Sequence, residues 1–184
     1  MKSTSPPLDA AQVARFRALA SVGAQCGSLA LGSVLGGTAA SGEPRVRGPG
    51  DAEGTERWAT SIVFEAEGDL TGLVAIVLRA ADRDLAVSRM VGEADPGDHV
   101  VASALRELGN IIASHTVSAM ADSLEATILP SVPTLVMDDA GEVLLSLITQ
   151  RGAKLRIEAD LLDPDGDLHA LLVFAPDPIE KDEI

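Results

Sequence analysis

Aromatic side chains are almost absent. Phe16, Phe64, Phe174 and Trp58 are the whole set in 184 residues, with no tyrosine. Stacking platforms for bases or sugars are therefore not expected, and a core must be assembled from Ala, Val, Leu and Ile. Cysteine is scarcer still: Cys26 stands alone, which removes internal disulfides and cysteine-rich zinc sites. Positive charge is also in deficit. Fourteen Lys and Arg face 28 Asp and Glu, a formal net charge of −14, and such a surface repels phosphate backbones, so no nucleic-acid partner is expected. Apolar runs such as Leu73 to Leu78 are too short to cross a bilayer, and Met1 to Pro7 lacks the apolar region of a secretion signal. The expectation is a soluble cytoplasmic protein without a membrane segment. With 46% apolar residues the chain can build one core of ordinary size. One further scarcity is informative: the chain has a single asparagine, Asn110.

Apolar residues recur at helical spacing from Leu8 to Leu35, with Asp9 as a cap and Gly36-Gly37 as a stop. Residues 36 to 56 are rich in glycine and read as loop, with a short strand near Arg45-Val46-Arg47. Trp58 to Glu67 and Leu70 to Arg79 read as a β-hairpin, Ala81 to Val91 as a short helix closed by Gly92, and Asp98 to Leu124 as a long amphipathic helix. The remainder reads as strands: Ala126 to Met137, Glu142 to Gln150, Leu155 to Leu162 and Leu168 to Ala175. The acidic tail, 177 to 184, is expected to fray.

Two internal echoes organise these elements. Gly68-Asp69-Leu70 recurs as Gly166-Asp167-Leu168, and Ala18-Leu19 to Gly23 recurs as Ala104-Leu105 to Gly109. The first offset is 98 residues and the second 86, so the second copy is twelve longer between helix and hairpin. Both echoes in one order argue for two copies of a helix-plus-strands unit, about 9–92 and 97–176. Pooling their strands predicts an α+β fold, a pseudo-twofold, mainly antiparallel central sheet with two long helices on one face.

On the second long helix, an advance of about 100° per residue puts Ser103, Glu107, Asn110 and Ser114 on one narrow polar stripe. Val101, Leu105, Leu108, Ile112 and Ala119 fall opposite and must face the sheet. A stripe of this kind is ordinarily just a wetted face, and glutamate suits it. Asparagine does not, because its amide competes for backbone hydrogen bonds and costs several tenths of a kcal/mol relative to alanine.

Ser103-x-x-x-Glu107-x-x-Asn110, followed by Pro133 in the Pro130-Ser131-Val132-Pro133 turn, resembles the signature of the CheC/CheX-type chemotaxis phosphatases. The paired Gly-Asp-Leu hairpins are similar to that family as well. The resemblance implies a phosphatase that accelerates hydrolysis of the aspartyl phosphate on a CheY-type receiver domain. Asn110 would orient the attacking water, Glu107 would dock the receiver, and Ser103 and Ser114 would lie on the docking rim. The chain would need no cofactor of its own, since Mg²⁺ travels with the receiver. The alternative is a non-catalytic module of the same fold that binds a receiver, a CheD-type deamidase or a flagellar-switch component. A structural homodimer joined through open sheet edges is a third expectation.

By the offset of 86, Glu107 corresponds to Ser21 and Asn110 to Ala24. Arg17 then stands in the place of Ser103, so the first helix is expected to be inert and the chain to carry one site. The same offset sets Cys26 against Ile112 and predicts a buried thiol. His99, His115 and His169 lack metal-ligand spacing. Gly27 to Gly37 lacks the Lys-Ser/Thr of a phosphate loop. Asp163 to Asp167 begins like a calcium loop but has Phe174 where a glutamate is required, so a hairpin turn is expected there.

Overall fold

The computed structural model describes residues 8–93, 95–163 and 167–178. Residues 164–166 of the hairpin turn expected over Asp163 to Asp167, and the end of the acidic tail, 179–184, lie outside them. Helix α1 (Ala10–Leu35) starts where the sequence indicates. The Asp9 carboxylate accepts from the Gln12 backbone N–H at 2.7 Å, and the Gln12 carboxamide accepts from the Asp9 N–H at 2.9 Å. This reciprocal box satisfies two otherwise orphaned donors and contributes about 1 kcal/mol. Gly36 ends the helix at φ 77°, in the left-handed region that glycine occupies without strain. Helices α2 (Ala80–Val91) and α3 (Asp98–Leu124) also follow the expected bounds to within a residue.

The sheet is antiparallel throughout, built from β1 (Ala40–Ser41), β2 (Arg45–Arg47), β3 (Thr60–Gly68), β4 (Gly72–Leu78), β5 (Ile128–Pro130), β6 (Thr134–Val136), β7 (Arg156–Leu162) and β8 (His169–Pro176). Its order is β1-β7-β8-β4-β3-β5, with β2 also pairing β7 and β6 also pairing β3. Strand alternation sorts the side chains into two layers. Ile62, Phe64, Val74, Ile76, Ile157, Leu172 and Phe174 face α1, α2 and α3, and Val63, Leu73, Ala75, Leu171 and Val173 face the other side. Strand β4 is buried on both faces, which is why Leu73 to Leu78 is an unbroken apolar run.

Two of the expected strands differ in the structure. Glu142 to Gln150, expected as a strand, is the helix α4 (Ala140–Gln150), laid on the second face of the sheet. Its buried positions, Ala140, Gly141, Leu144 and Ile148, keep a helical spacing. The run Val143-Leu144-Leu145 with Ile148-Thr149 looks β-rich in isolation, and tertiary packing decides against propensity. Gly141 permits the contact, because a Cβ there would stand 2.4 Å from the Thr55 carbonyl oxygen. The expected strand over residues 126 to 137 is likewise divided into β5 and β6 around Ser131 to Pro133.

The pairing is symmetric about the β4–β8 contact, where Ala75 faces Val173. Val46 of β2 pairs Ile157 as Leu135 of β6 pairs Ile62, and Ser41 of β1 pairs Leu161 as Pro130 of β5 pairs Ala66. The β1–β5 and β2–β6 equivalences run at an offset of 89, not 86, and β3 matches β7 at an offset of 95. The helix ends agree, since Gly36 and Glu125, also 89 apart, both cap their helices with positive φ. The hairpins differ in turn length: Ile62 opposite Ile76 matches Ile157 opposite Phe174, so the second turn holds three more residues. The extra length before the second hairpin corresponds to α4, which stands where the first half has a single 3₁₀ turn, Thr55–Arg57.

Arg151, capping the C-terminal end of α4, clamps the helix to the sheet. It donates to both Asp177 oxygens, at 2.8 and 2.6 Å, and to Glu65 of β3 at 3.2 Å. The start of the tail is therefore tied down rather than frayed. Burial pushes the Asp177 carboxyl up, but hydrogen bonds from Arg151 and Thr71 outweigh it and hold the group below the usual aspartate range. A carboxyl depressed in the folded state stabilises fully above its unfolded value, near 4, and that contribution is lost as pH falls through the folded value. Asp177→Asn is expected to cost about 0.5–1 kcal/mol at pH 7, discounted for partial exposure. In urea titrations the gap between variant and wild type should narrow as pH falls below about 4; a gap that does not change with pH argues against the ion pair.

Candidate functional site

The site residues are positioned by what lies beneath them. Leu105, Leu108 and Ile112 of α3 are completely buried, and Gly109 lies directly over Ile62 of β3. Seating that face on the sheet turns the opposite face outward. Ser103, Glu107, Asn110 and Ser114 are all exposed, in the expected single stripe along α3. Ser103 and Glu107 also share the wall of a shallow groove of about 380 Å³ between the end of α2 and the start of α3. Asn110 and Ser114 continue the stripe beyond that groove. Met90, Val91, His99, Val100 and Ala104 complete the groove, and its apolar members carry no sequence signal because they are ordinary residues of amphipathic helices. Pro133 is half-buried in the break between β5 and β6. That break is pinned to β3 by Ser131, whose hydroxyl accepts from the Glu65 N–H at 2.9 Å and whose own N–H donates to the Glu65 carbonyl at 2.8 Å.

The mirrored position on α1 needs correction. The offset of 86 sets Asn110 against Ala24, yet Ala24 is 0% exposed and belongs to the core. At the structural offset of 89, Asn110 corresponds to Ser21, Glu107 to Ala18, Ser103 to Ala14 and Ser114 to Gln25. Ala14, Ala18 and Gln25 are exposed and Ser21 is partly buried. The expectation that α1 lacks a Glu/Asn pair holds with different residues. Cys26 then corresponds to His115, not Ile112, and it is partly exposed instead of buried.

Among the described residues no group of three or more His, Cys, Asp and Glu is arranged to hold a metal. A second depression, of about 220 Å³, lies on the far face of the sheet, where Arg45, Arg47, Arg57 and Arg79 converge. Most of that charge is spent internally. Arg45 forks onto Asp160, Arg47 meets Glu53 and Glu158, and Arg79 holds Asp82. Burial raises the Asp160 carboxyl, but hydrogen bonds from Arg45 and then His169 outweigh it and leave it below its ordinary range. Behind this depression Arg156 is wholly buried, paired with Glu158 at 2.8 Å and stacked on Trp58 at 5.8 Å.

Comparison with known proteins meets the same helix. The family model described as the CheC-like family matches residues 100–137, the segment that carries Ser103, Glu107, Asn110, Ser114 and Pro133. The chain is 34% identical over 90 residues to the CheY-P phosphatase CheC of Bacillus subtilis (strain 168), a match covering 46% of this chain. Over this segment the chain is similar to the CheC-like family. It spans under half, 43%, of that curated relative's length. The fold extends the likeness across most of the chain. The chemotaxis protein CheX from Desulfovibrio desulfuricans superposes with a TM-score of 0.65 at 16% identity, covering 87% of this chain and 99% of that one. The CheX in a CheX–CheY–BeF₃–Mg²⁺ complex from Borrelia burgdorferi gives 0.63 at 19% identity, with 84% and 95% covered. One further property bears on the sequence expectations. Helix α1 is long and apolar enough to cross a membrane, with mean hydropathy 1.5, although half of that stretch is buried inside the fold.

Proposed function

We propose that the chain accelerates hydrolysis of the aspartyl phosphate of a CheY-type receiver domain in the cytoplasm, with Asn110 and Glu107 as its working residues. The observation that carries this reading is the exposed Glu107/Asn110 pair on α3, inside the segment that matches the CheC-like family. An acyl phosphate is already reactive, so the helper needs neither nucleophile nor metal of its own. Water must approach phosphorus in line with the acyl oxygen; the new P–O bond forms as the old one breaks, releasing inorganic phosphate and the receiver's carboxylate. Mg²⁺ belongs to the receiver substrate and balances charge there. A carboxamide suits the remaining task, because its oxygen accepts from water while its NH₂ donates to a phosphoryl oxygen. Glu107, one turn earlier, is placed to pair with a basic residue of the receiver and fix register. Ser103 and Ser114 extend the contact at either end of the stripe. A flat exposed site is appropriate, because the substrate is itself a protein surface.

The test is phosphate release from a phosphorylated receiver. Wild-type chain should raise the rate at least tenfold over the receiver alone. Glu107→Ala should raise KM about tenfold or more, the worth of roughly 1.4 kcal/mol of docking, with a smaller effect on kcat. A second reading has one observation in its favour: α1 carries Ala18 and Ser21 where α3 carries Glu107 and Asn110. A duplicated fold in which one long helix lacks the pair is compatible with docking to a receiver, a CheD-type deamidase or a flagellar-switch component without catalysis. Binding of the receiver without any acceleration would select that reading.

A further inference from the structure

We propose that the groove between α2 and α3 is the specificity pocket of the receiver dock, taking an apolar side chain flanked by Lys or Arg from the receiver surface. The inference rests on the receiver-docking reading above and adds the chemistry of the partner surface. Met90 and Val91 from α2 and Val100 and Ala104 from α3 give the groove apolar walls, and Ser103 and Glu107 form its rim toward Asn110. It is therefore continuous with the stripe that meets the receiver. Val100 is 39% exposed although it is apolar and lies in a helix with a well-filled core face. Such a residue beside a shallow opening has room for a partner group.

Charge defines the rest of that partner. Glu93, Asp95 and Asp98 are exposed in or next to the α2–α3 connection at the end of the groove, and Glu107 lies along it. None of the four forms an ion pair among the described residues, whereas Arg89 nearby is engaged by Asp163 and Asp167. Arg106 is the one Lys or Arg of α3. Unpaired carboxylates around an apolar recess favour a basic-flanked apolar knob and repel an acidic one. On α1 the position equivalent to Glu107 is Ala18, so the rim charge is absent there.

The test measures binding of a CheY-type receiver loaded with beryllofluoride and Mg²⁺, together with phosphate release. Val100→Trp fills the groove and should raise Kd and KM at least tenfold. Met90→Ala removes one wall and should raise Kd about threefold or more. Leu29→Trp, at a 66% exposed position of α1, serves as the control and should bind as wild type does. Thermal unfolding followed by circular dichroism separates lost docking from lost folding, and the Met90→Ala arm decides the matter should Val100→Trp unfold. If wild type binds and the groove variants bind equally well, the pocket is refuted while the phosphatase reading stands. If wild type engages no receiver, both fall together.

Discussion

Asn110→Ala is expected to abolish acceleration of receiver dephosphorylation while leaving the complex largely intact. The size of the effect follows from what the amide supplies. A donor aimed at developing charge in a transition state is worth about 10²–10³ in kcat when removed, or roughly 2.7–4 kcal/mol. Alanine keeps the helix and loses both amide functions. Asn110→Asp is the sharper control, because a carboxylate still accepts from water but cannot donate to a phosphoryl oxygen, and its charge opposes the phosphoryl group. It should be as inactive as alanine and should bind the phosphorylated receiver more weakly. Folding offers no competing explanation: Asn110 is exposed, and exchanging a poor helix former for alanine should raise stability by several tenths of a kcal/mol. Phosphate release at saturating receiver, with Kd for the beryllofluoride form measured alongside, reads both quantities. Equal rates for wild type and Asn110→Ala would sink the catalytic assignment and leave a docking module.

How far this site could be read from sequence depends on which physical signal each residue carries. Asn110 was legible because it is costly where it stands: the chain uses no other asparagine, and a helix interior does not favour one. The stripe was legible because helical spacing separates the buried Leu105, Leu108 and Ile112 from Ser103, Glu107 and Ser114. The mirrored site was misplaced for a specific reason. Aligning Leu19 and Gly23 with Leu105 and Gly109 slips the helices by three residues, not far from one turn, and small apolar residues repeat closely enough to hide it. Strand register has no such tolerance, because a one-residue slip reverses every side chain. The pairs Val46–Ile157 and Leu135–Ile62 therefore fix the offset that the helices leave open. The α4 error has another cause. Leu144 and Ile148 bury against a sheet face that local propensity does not report. The groove at Val100 was invisible because it is made by the angle at which α2 packs against α3, which the periodicity of neither helix reports.

Gly109→Val should destabilise the fold by about 3 kcal/mol, the upper end of the usual cost of overpacking a core, and should damage the site through its foundation. A Cβ at position 109 would stand 2.5 Å from Ile62 Cγ2 and 3.1 Å from its Cδ1. Ile62 cannot retreat. It is 0% exposed, β-branched and held in β3 between β4 and β6. The helix must therefore lift from the sheet, and Asn110, the next residue, must move with it. Gly109→Ala is the milder probe, since the gain of about 1 kcal/mol in helix propensity offsets part of the clash. Combining it with Ile62→Ala removes the opposing side chain, so the two substitutions should be strongly non-additive, with a coupling of about 1–3 kcal/mol in the favourable direction. Urea unfolding of the four proteins gives that coupling directly, and additivity within about 0.5 kcal/mol would contradict the contact. Receiver dephosphorylation by the folded Gly109→Ala variant then asks whether displacement of Asn110 costs rate. Positioning by Gly109 predicts a drop in kcat at an unchanged side-chain inventory, partly restored when Ile62 is truncated. A purely stabilising role for Gly109 predicts normal kcat from whatever fraction remains folded.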